Sequence, residues 1–243
     1  MTMRDRPKFG TPFTAAAERN TLRNRIYSEL KTSLICGKFE PGEGITAKAA
    51  SEAIGAGLMP VREALQRLIA EGALEGLSNG RARIPIMSRE SFGKLMNIRL
   101  QLEPYACSEA AGLADDEERR GIDAGFKDLS KALAVRDRPA EMLWVNFNCH
   151  FAIYRAAHSP HLVSLIESLW LRFGPLLSFL AEREDLRQSL VRYERPLHKQ
   201  LNAAVLNEKA AEAARVCAEL LSTSQSWFQK HYPFAAESAA ASR

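Results

Sequence analysis

The stretch GAGLMPVREALQRLIAEGALEG, residues 55–76, decides how the N-terminal third of this 243-residue chain is interpreted. Its apolar residues recur at helical spacing, which predicts a short amphipathic helix. Pro60 suits the first helical position, where a missing N–H costs nothing, and Gly72 is placed to end the helix. The buried side of this helix is predicted to consist of Val61, Leu65, Leu68 and Ile69.

The sequence on either side of this helix predicts the other secondary-structure elements of the N-terminal domain. An amphipathic helix is predicted over 20–34, and a second, short helix from Thr46 to Gly55. After the third helix, SNGR at 78–81 separates two short extended runs, and Asn-Gly at such a position indicates a hairpin. Two helices, a tight turn at 56–59, a third helix and a hairpin together predict a winged helix-turn-helix domain.

The net positive charge of the chain lies in this N-terminal part. Residues 1–88 contain 13 Lys and Arg against 9 Asp and Glu, whereas residues 89–243 contain 20 of each group. A positively charged N-terminal third suits contact with a polyanion such as DNA. The excess is small and part of it lies in the N-terminal tail, so the charge by itself supports this interpretation only slightly.

Two polar residues of the third helix indicate that this helix binds DNA. Arg62, on the first turn, and Gln66, one turn later, lie away from the predicted buried side. A helix that docks its N-terminal end in the major groove presents such groups to phosphates and base edges, and a guanidinium can bond bidentately to guanine or phosphate. The alternative is a solvated helix face without a partner, which is common.

The sequence after Ser88 predicts only helices. Helical periods follow one another with short polar breaks and no strand-like alternation, which is typical of an antiparallel all-α bundle of about six helices. Asp115 is a predicted N-cap. The predicted helices cover residues 89–113, 115–136, 139–158, 160–181, 184–206 and 208–230. The aromatic residues expected in the core and in the wall of a ligand pocket are Trp144, Phe147, Phe151, Tyr154, Trp170, Phe173 and Phe179.

Other features exclude several classes of protein. The charged N-terminus lacks the apolar segment of a secretory signal, and no run of apolar residues indicates a membrane span. We therefore expect a cytoplasmic protein without a membrane partner. The four cysteines are scattered without a CxxC pair, so neither disulfides nor cysteine zinc sites are expected.

The segment PGEGITAKAASEAIGAGLMPVREALQRLIAEGALE, residues 41–75, resembles the DNA-binding domain of GntR-family transcription regulators. Its marks are the PGE turn at 41–43 and an intact PVREAL at 60–65, and the likeness spans about residues 20–86. The rest of the chain resembles the all-helical effector domain of the FadR-like subgroup, called FCD. This likeness is carried by IRLQLEPYACSEAA, HFAIYRAAHSPHLVSLIESLW and ERPLHKQLNAAVLNEKAAEAA.

The sequence pattern and the resemblance together predict four segments in a mostly α protein. A winged helix-turn-helix DNA-binding domain is expected at 19–87, followed at 88–232 by an all-helical domain for effector binding and dimerisation. The tails at 1–18 and 233–243 are expected to be disordered.

The DNA-reading part departs from the family pattern. Where the family has Val-Ser-Arg-Thr before the Pro-Val-Arg, this chain has Ala-Gly-Leu-Met at 56–59, so a hydroxyl and a guanidinium are replaced. Fewer phosphate bonds predict weaker, less salt-sensitive binding or a different operator, although Leu58 and Met59 could touch a thymine methyl group. The wing reads Gly80-Arg81 instead of the Arg-Gly of the family. The residues that the resemblance implies for DNA contact are Lys48, Gly57, Leu58, Met59, Arg62, Gln66, Asn79, Gly80 and Arg81.

Arg99 and Glu103 lie four residues apart on the first helix of the bundle. In FCD-like domains an arginine at this position faces the pocket and receives the carboxylate of the effector, and a guanidinium matches a carboxylate bidentately. The alternative is a surface ion pair, worth on the order of a few tenths of a kcal/mol. We favour a small organic acid as the effector of Arg99.

The resemblance also implies a divalent metal site, and this chain lacks half of it. The family's ligand positions are here Asn146, His150, His198 and Leu220, so a neutral amide replaces an aspartate and a leucine replaces a histidine. Glu219 would substitute for Leu220 only if the family spacing shifted, because one residue along a helix turns a side chain by about 100°. We therefore expect no metal, and we expect Asn146, His150 and His198 to hydrogen-bond the effector directly. The alternative for both histidines is an ordinary bonded residue inside a bundle.

Together these features predict a one-component transcription regulator, most often a repressor in families of this kind. A homodimer would place two reading helices on a palindromic operator in double-stranded DNA, and a small organic acid would shift the protein to an arrangement that does not bind. Two alternatives stay open. One is an enzyme built on the bundle, with Arg99, Glu103, His150 and His198 as acid and base groups, and the other is an interaction module whose helix-turn-helix has lost DNA binding.

Overall fold

The computed structural model describes residues 14–135, 138–181 and 183–235. It confirms the mostly helical architecture, with a winged helix-turn-helix followed by an all-α bundle. The N-terminal elements are α1 (Thr14–Ile35), β1 (Gly44–Ile45), α2 (Ala47–Ile54), α3 (Leu58–Ala70), β2 (Glu75–Gly76) and β3 (Ala82–Arg83). The bundle consists of α4 (Arg89–Leu113), α5 (Asp116–Ala132), α6 (Pro139–Arg155), α7 (Pro160–Phe173), a 3-10 turn (Gly174–Leu177), α8 (Ser178–Ala181), α9 (Glu184–Leu206) and α10 (Ala210–His231).

The turn between α2 and α3 is shorter than the sequence predicts. The Thr46 side chain caps α2 by accepting from the Ala49 N–H, and Gly55 ends the helix in the left-handed conformation. Helix α3 then begins at Leu58, with Gly57 as its N-cap, because proline is tolerated throughout a first turn whose N–H groups have no partner inside the helix. Leu58 and Met59 therefore belong to the first turn of α3 and not to the preceding turn.

The wing is a hairpin that takes a third strand. Strand β2 pairs antiparallel with β3, with Glu75 opposite Arg83. The connection at 77–81 contains a 3-10 turn, Ser78–Gly80. The other edge of β3 pairs with β1, which the sequence analysis missed because two residues carry no alternating pattern.

The predicted buried side of α3 faces α1. Val61, Leu65 and Leu68 are buried as predicted, whereas Ile69 is only partly buried. Helix α1 packs against α3 and contributes buried residues of its own to the same core. They are Ile26, Tyr27, Leu30 and Leu34.

The prediction of one helix over 160–181 is wrong. Helix α7 ends at Phe173 because Pro175 lacks an N–H, and the chain continues as the 3-10 turn and the short helix α8. The other predicted helices are present, and Asp115 caps α5 in a reciprocal capping box with Glu118.

The inner edge of the predicted N-terminal tail is helical. Helix α1 begins at Thr14, inside the segment 1–18 that was expected to be disordered. Residues 1–13 lie outside the described part of the chain.

The inner edge of the predicted C-terminal tail also belongs to the fold. The ring of Phe234 lies 5.0 Å from that of Phe92, and Ala235 forms a bridge with Ser88 at the start of α4. Residues 236–243 lie outside the described part of the chain.

The apolar residues of the bundle form one core with those of the N-terminal domain. Helix α10 packs against α4 and α9, and α5 packs against α6. The predicted aromatic core is confirmed except at two positions, because Trp144 is 39% exposed and Phe179 is only partly buried. The helical run Pro160–Ala181 is apolar enough and long enough to span a membrane, but more than half of its most apolar window is buried inside the protein, which explains its composition.

Candidate functional site

The front of α3 presents polar side chains to solvent. Arg62 is exposed and makes no hydrogen bond or ion pair with any residue that the structure describes. Its neighbour Glu63 accepts the guanidinium of Arg23 at 2.7 Å, so that carboxylate is already paired. Gln66, one turn further, is also exposed. The groups predicted to read DNA are therefore accessible to a partner.

Arg67, the second arginine of α3, has a structural role. Its Nε lies 3.0 Å from Oε1 of Glu71, and its guanidinium lies 3.7 Å from the centre of the Tyr27 ring. Tyr27 donates its hydroxyl to Glu71 at 2.6 Å, and burial together with this bond raises the pKa of Tyr27. These contacts join α3 to α1. The two arginines of the opening stretch therefore differ, because Arg67 is bonded within the domain whereas Arg62 is exposed to solvent.

The N-terminus of α3 has no side-chain cap. Gly57 occupies the N-cap position and offers no oxygen to the amides of the first turn. Leu58 and Met59 on that turn are 40% and 62% exposed. Amides without a partner at the positive end of a helix favour a phosphate group.

The remaining predicted DNA contacts lie on α2 and on the wing. Lys48 is exposed, and its ammonium lies 4.0 Å from Glu52, which makes a weak surface pair. Gly80 adopts a positive φ of 70°, and Arg81 beside it is exposed. The side chain of Asn79 lies outside the described residues.

The bundle encloses a cavity of about 60 Å³, and all four residues predicted to bind the effector line it. Arg99 comes from α4, Asn146 and His150 from α6, and His198 from α9. The rest of its wall is mainly apolar and includes Trp170 together with residues of α10. Residues far apart in sequence thus meet at one place because the helices of the bundle surround it.

Arg99 and Glu103 form a buried ion pair, so the surface alternative is wrong. Arg99 Nε lies 2.5 Å and Nη2 3.2 Å from the two carboxylate oxygens, and both side chains are almost fully buried. Tyr154 donates a further hydrogen bond to Glu103 at 2.6 Å. The guanidinium also lies over the rings of Trp170 and Phe173, at 4.8 and 4.5 Å.

His150 and His198 meet at the cavity with their Nε2 atoms 3.1 Å apart. Burial lowers the pKa of His198 to about 4, and burial also holds the pKa of His150 well below its ordinary value. Both rings are therefore neutral near pH 7, and each carries one N–H.

The neighbouring atoms fix the hydrogen of one ring. His198 Nδ1 lies 3.0 Å from the Glu194 carbonyl oxygen, which only accepts, so Nδ1 carries the hydrogen and Nε2 is an acceptor. His150 lies between this acceptor and the Tyr154 hydroxyl, which is 3.2 Å from its Nδ1 and donates to Glu103. In the tautomer with its hydrogen on Nε2, His150 donates to His198 across the 3.1 Å contact.

The carboxyl group of Glu194 also lines the cavity. Burial raises its pKa to about 7, against the opposing effects of a hydrogen bond from Ser224 and the charge of Arg99. The carboxyl therefore holds its proton to a higher pH than an ordinary glutamate does. The sequence does not predict a role for Glu194, because only the packing of α9 against α4 and α10 brings it to the cavity.

The donor set does not fit the divalent metal that the resemblance implies. A histidine whose Nδ1–H group is bonded outward, as that of His198 is, is a usual feature of metal sites. Within the described ranges, however, no group of three or more His, Cys, Asp and Glu side chains could hold a metal ion. Leu220 lies in the cavity wall, and Glu219 is exposed and pairs with Arg215 at 2.9 Å. The absence of a resident metal stays a prediction.

Comparison with known proteins gives matches over both parts of the chain. A family model described as bacterial regulatory proteins of the gntR family matches residues 22–84, and the FCD domain model matches residues 94–223.

Individual relatives are similar over most of their length. The chain is 28% identical over 209 residues to the HTH-type transcriptional regulator McbR of Escherichia coli K12, covering 85% of this chain and 91% of McbR. It is 27% identical over 201 residues to the HTH-type transcriptional repressor GlaR of the same organism, covering 81% of this chain and 91% of GlaR. The solved structure of E. coli McbR/YncC has the same fold, with a TM-score of 0.78 at 24% identity over 86% of this chain and 98% of that one.

Proposed function

We propose that this chain, which belongs to the GntR family of bacterial regulatory proteins and carries an FCD domain, represses transcription and leaves its DNA operator when a small organic acid binds in the bundle. Both domains and the curated relatives are those of transcription regulators, so the enzyme alternative is not retained. We further propose that the protein acts in the cytoplasm as a homodimer without a resident metal, on a palindromic operator.

The front of α3 supports base reading. Arg62 is accessible and unpaired within the described residues, and a guanidinium in the major groove can take the O6 and N7 atoms of guanine. The uncapped amides of the first turn suit a phosphate, which offsets in part the hydroxyl and guanidinium missing from 56–59. Arg81 on the wing supports a second contact with the duplex.

The observation that carries the proposed regulation is a backbone contact between the cavity wall and the DNA-binding domain. A Cβ atom on Gly174 would lie 2.6 Å from both the Leu34 carbonyl oxygen and the Ile35 Cα, so the 3-10 turn touches the last turn of α1. The same turn contributes Leu177 to the wall of the cavity. A ligand that moves this wall therefore also moves the end of α1.

Two polar links accompany that contact. The Lys31 ammonium on α1 lies 2.5 Å from the Glu167 carboxylate on α7, and both side chains are partly buried. Arg172, also on α7, donates to the backbone oxygen of Glu71 at the end of α3. Since the bundle contacts both helices, a ligand with different affinity for two bundle conformations would bias the placement of α3.

The experiment is capture of genomic DNA fragments by the full chain at low salt, followed by release with small organic acids. We expect retardation of specific fragments, and Arg62→Ala should weaken binding by at least about tenfold, because a bidentate base contact is worth about 1–3 kcal/mol. Arg215→Ala, on an exposed face of α10, is the control and should leave the affinity unchanged.

Two results would count against the proposal. Folded protein that retards no fragment would favour the interaction-module alternative. Captured DNA that no small acid releases would leave DNA binding in place and remove the proposed effector response.

A further inference from the structure

The net positive charge of the chain is confined to its first 25 residues. Residues 1–25 contain six Lys and Arg against two Asp and Glu, whereas residues 26–88, which include α2, α3 and the wing, contain seven of each group. Residues 89–243 are also balanced, with 20 of each. The body of the winged helix-turn-helix domain therefore has no net charge with which to attract a polyanion.

Most of the cations in residues 26–88 are also paired. Those that lie within 4.0 Å of a carboxylate oxygen are Lys31, Lys48, Arg67 and Arg83. Within the described part of the chain, the cations outside such pairs are Lys38, Arg62 and Arg81. The affinity of a protein for duplex DNA depends strongly on how many phosphates its Lys and Arg side chains neutralise, so this domain needs further cations.

The N-terminal part of α1 lies beside the front of α3. Arg23 Nε contacts the Glu63 carboxylate at 2.7 Å, and Tyr27, one turn later on α1, donates to Glu71 at the far end of α3. The two contacts follow the same order along both helices, so α1 and α3 run in the same direction at this junction. Their N-terminal ends therefore lie at the same end of the domain.

Helix α1 extends further in this direction than α3 does. It begins at Thr14, whereas α3 begins at Leu58. At a rise of about 1.5 Å per residue, α1 continues for about 14 Å before Arg23, and α3 continues for about 8 Å before Glu63. Under the proposed function the front of α3 faces the duplex, so the N-terminal end of α1 faces it as well.

Two arginines of this part of α1 are available to a partner. Arg25 is exposed and makes no hydrogen bond or ion pair with any described residue. Arg23 is 53% exposed and uses its Nε for Glu63, which leaves its terminal nitrogens for a second acceptor. Phosphate oxygens are suitable acceptors for such a guanidinium. The neighbouring residues Leu22 and Asn24 are exposed too, so no other part of the domain covers this segment.

We propose that residues 14–25, the basic arm, form a second DNA-contacting surface that binds backbone phosphates beside the bases read by α3. Its arginines are Arg19, Arg23 and Arg25, against one acidic residue, Glu18. The arm supplies affinity that is independent of base sequence, and it offsets the hydroxyl and guanidinium that are missing at 56–59. This inference rests on the proposed function and adds a second contact surface to the DNA-reading helix.

The test is the salt dependence of DNA binding by the full chain. Fluorescence anisotropy measures Kd for a captured genomic fragment and for a random duplex of equal length, between about 50 and 200 mM salt. The variant Arg19→Gln/Arg23→Gln/Arg25→Gln should bind both duplexes at least about tenfold more weakly at low salt. Its plot of log Kd against log salt should be shallower by about two to three, because each lost phosphate contact removes about one from the slope.

A control variant removes the same charge from the bundle. Arg155→Gln/Arg192→Gln/Arg215→Gln changes exposed positions on α6, α9 and α10, and its affinity and slope should match the wild type. The preference for the genomic fragment over the random duplex should be unchanged in the arm variant. Arg62→Ala should reduce that preference, because a base contact carries sequence information and a phosphate contact does not.

Each other outcome overturns a stated part of the proposal. An unchanged slope in the folded arm variant would reject the arm and leave α3 as the DNA-reading element. Equal losses in the arm and bundle variants would reject a local contact, since net charge alone would then explain them. A fall in fragment preference would make the arm a base-reading element, and dissociation of a wild-type dimer in the arm variant would make residues 14–25 a contact between copies. Failure of the wild type to bind either duplex would reject the proposed function itself.

Discussion

The buried pair of Arg99 and Glu103 has different consequences from the surface pairs of the same helix. Its two charges have left water, and they are compensated by two hydrogen bonds between them and a third from Tyr154. Removing one partner of such a pair leaves the other charge buried and alone. The buried guanidinium of Arg99 therefore depends on Glu103 to offset the free-energy cost of its burial.

The first prediction concerns Glu103→Gln. This substitution keeps the shape of the side chain but leaves Arg99 uncompensated, and it should destabilise the fold by about 3–5 kcal/mol. Thermal melting measures the effect as a fall in Tm. Glu90→Gln is a matched control on α4, because Glu90 pairs with Lys94 at the same spacing but on an exposed face, and its Tm should match the wild type. Similar Tm values for both variants would contradict the argument.

The second prediction concerns the pH dependence of stability through Glu194. Burial raises the pKa of this carboxyl to about 7 in the folded state, above the ordinary value of 4.5 that applies when the chain unfolds. The folded protein therefore holds the proton more tightly, and the contribution of Glu194 to stability falls as pH rises from about 4.5 to 7. Glu194→Gln removes this loss, so the variant should melt about 2–8 °C above the wild type at pH 8 and close to it at pH 5.

Comparing the two proteins at each pH isolates Glu194 from other titrating groups. The groups that act on its carboxyl are Ser224 and Arg99, and His198, which contacts the Glu194 backbone oxygen, has a pKa near 4, below this window. A difference in Tm that stays constant between pH 5 and pH 8 would show that Glu194 does not titrate as described.

Among the elements, the 3-10 turn Gly174–Leu177 makes a close backbone contact between the bundle and the DNA-binding domain. Pro175 prevents α7 from continuing, and the resulting turn brings Gly174 against the backbone of α1. Gly37 makes a similar approach from the other side, since a Cβ atom there would lie 2.7 Å from the Ser178 N atom. Glycine at both positions lets the bundle and the DNA-binding domain touch through their main chains.

The third prediction is that Gly174→Ala separates these elements. The added methyl group meets the backbone of Leu34 and Ile35, which cannot rotate away, so the variant should lose about 1–3 kcal/mol. Thermal melting and the rate of proteolysis after α1 provide the measurement. Gly121→Ala on α5 is the control, because its Cβ would meet nothing within 4 Å, and it should be neutral or slightly stabilising. Equal behaviour of the two variants would refute the close contact.

At the scale of the whole molecule, the bundle and the DNA-binding domain share one apolar core and are linked by two polar contacts at their junction. Under the proposed function, a change of conformation at the cavity would reach α3 through this junction. It also limits one chain to one reading helix, since α3 is followed by the wing and then by the bundle.

The fourth prediction follows from that limit. A palindromic operator presents two half-sites about one helical turn apart, so it should bind two chains. Fluorescence anisotropy titration of a captured fragment, well above the dissociation constant, should saturate at two chains per duplex, and sedimentation of the free protein should give a dimer. Saturation at one chain per duplex would contradict the palindromic arrangement.

Much of the local structure was determined by the sequence itself. Thr46, Gly55 and Asp115 end or begin their helices through capping that involves only near neighbours. The apolar stripe of α3 selected its buried side in the same local way, and the spacing of the resembling motifs located the four cavity residues. The sequence pattern does not predict the start of α3 at Leu58 or the break after Phe173, because each depends on how a proline is accommodated in a helix.

Only the tertiary structure decided where the polar residues of the cavity lie and which atoms they contact. The sequence left Arg99 and Glu103 as either a surface pair or a pocket pair, and burial settled this because it depends on helices contributed from across the chain. The same is true of the unpaired Trp170 N–H, of the contact between the Nε2 atoms of His150 and His198, and of the raised pKa of Glu194. Periodicity specifies which side of a helix is buried, whereas the partner of a buried polar atom is fixed only when separate helices pack together.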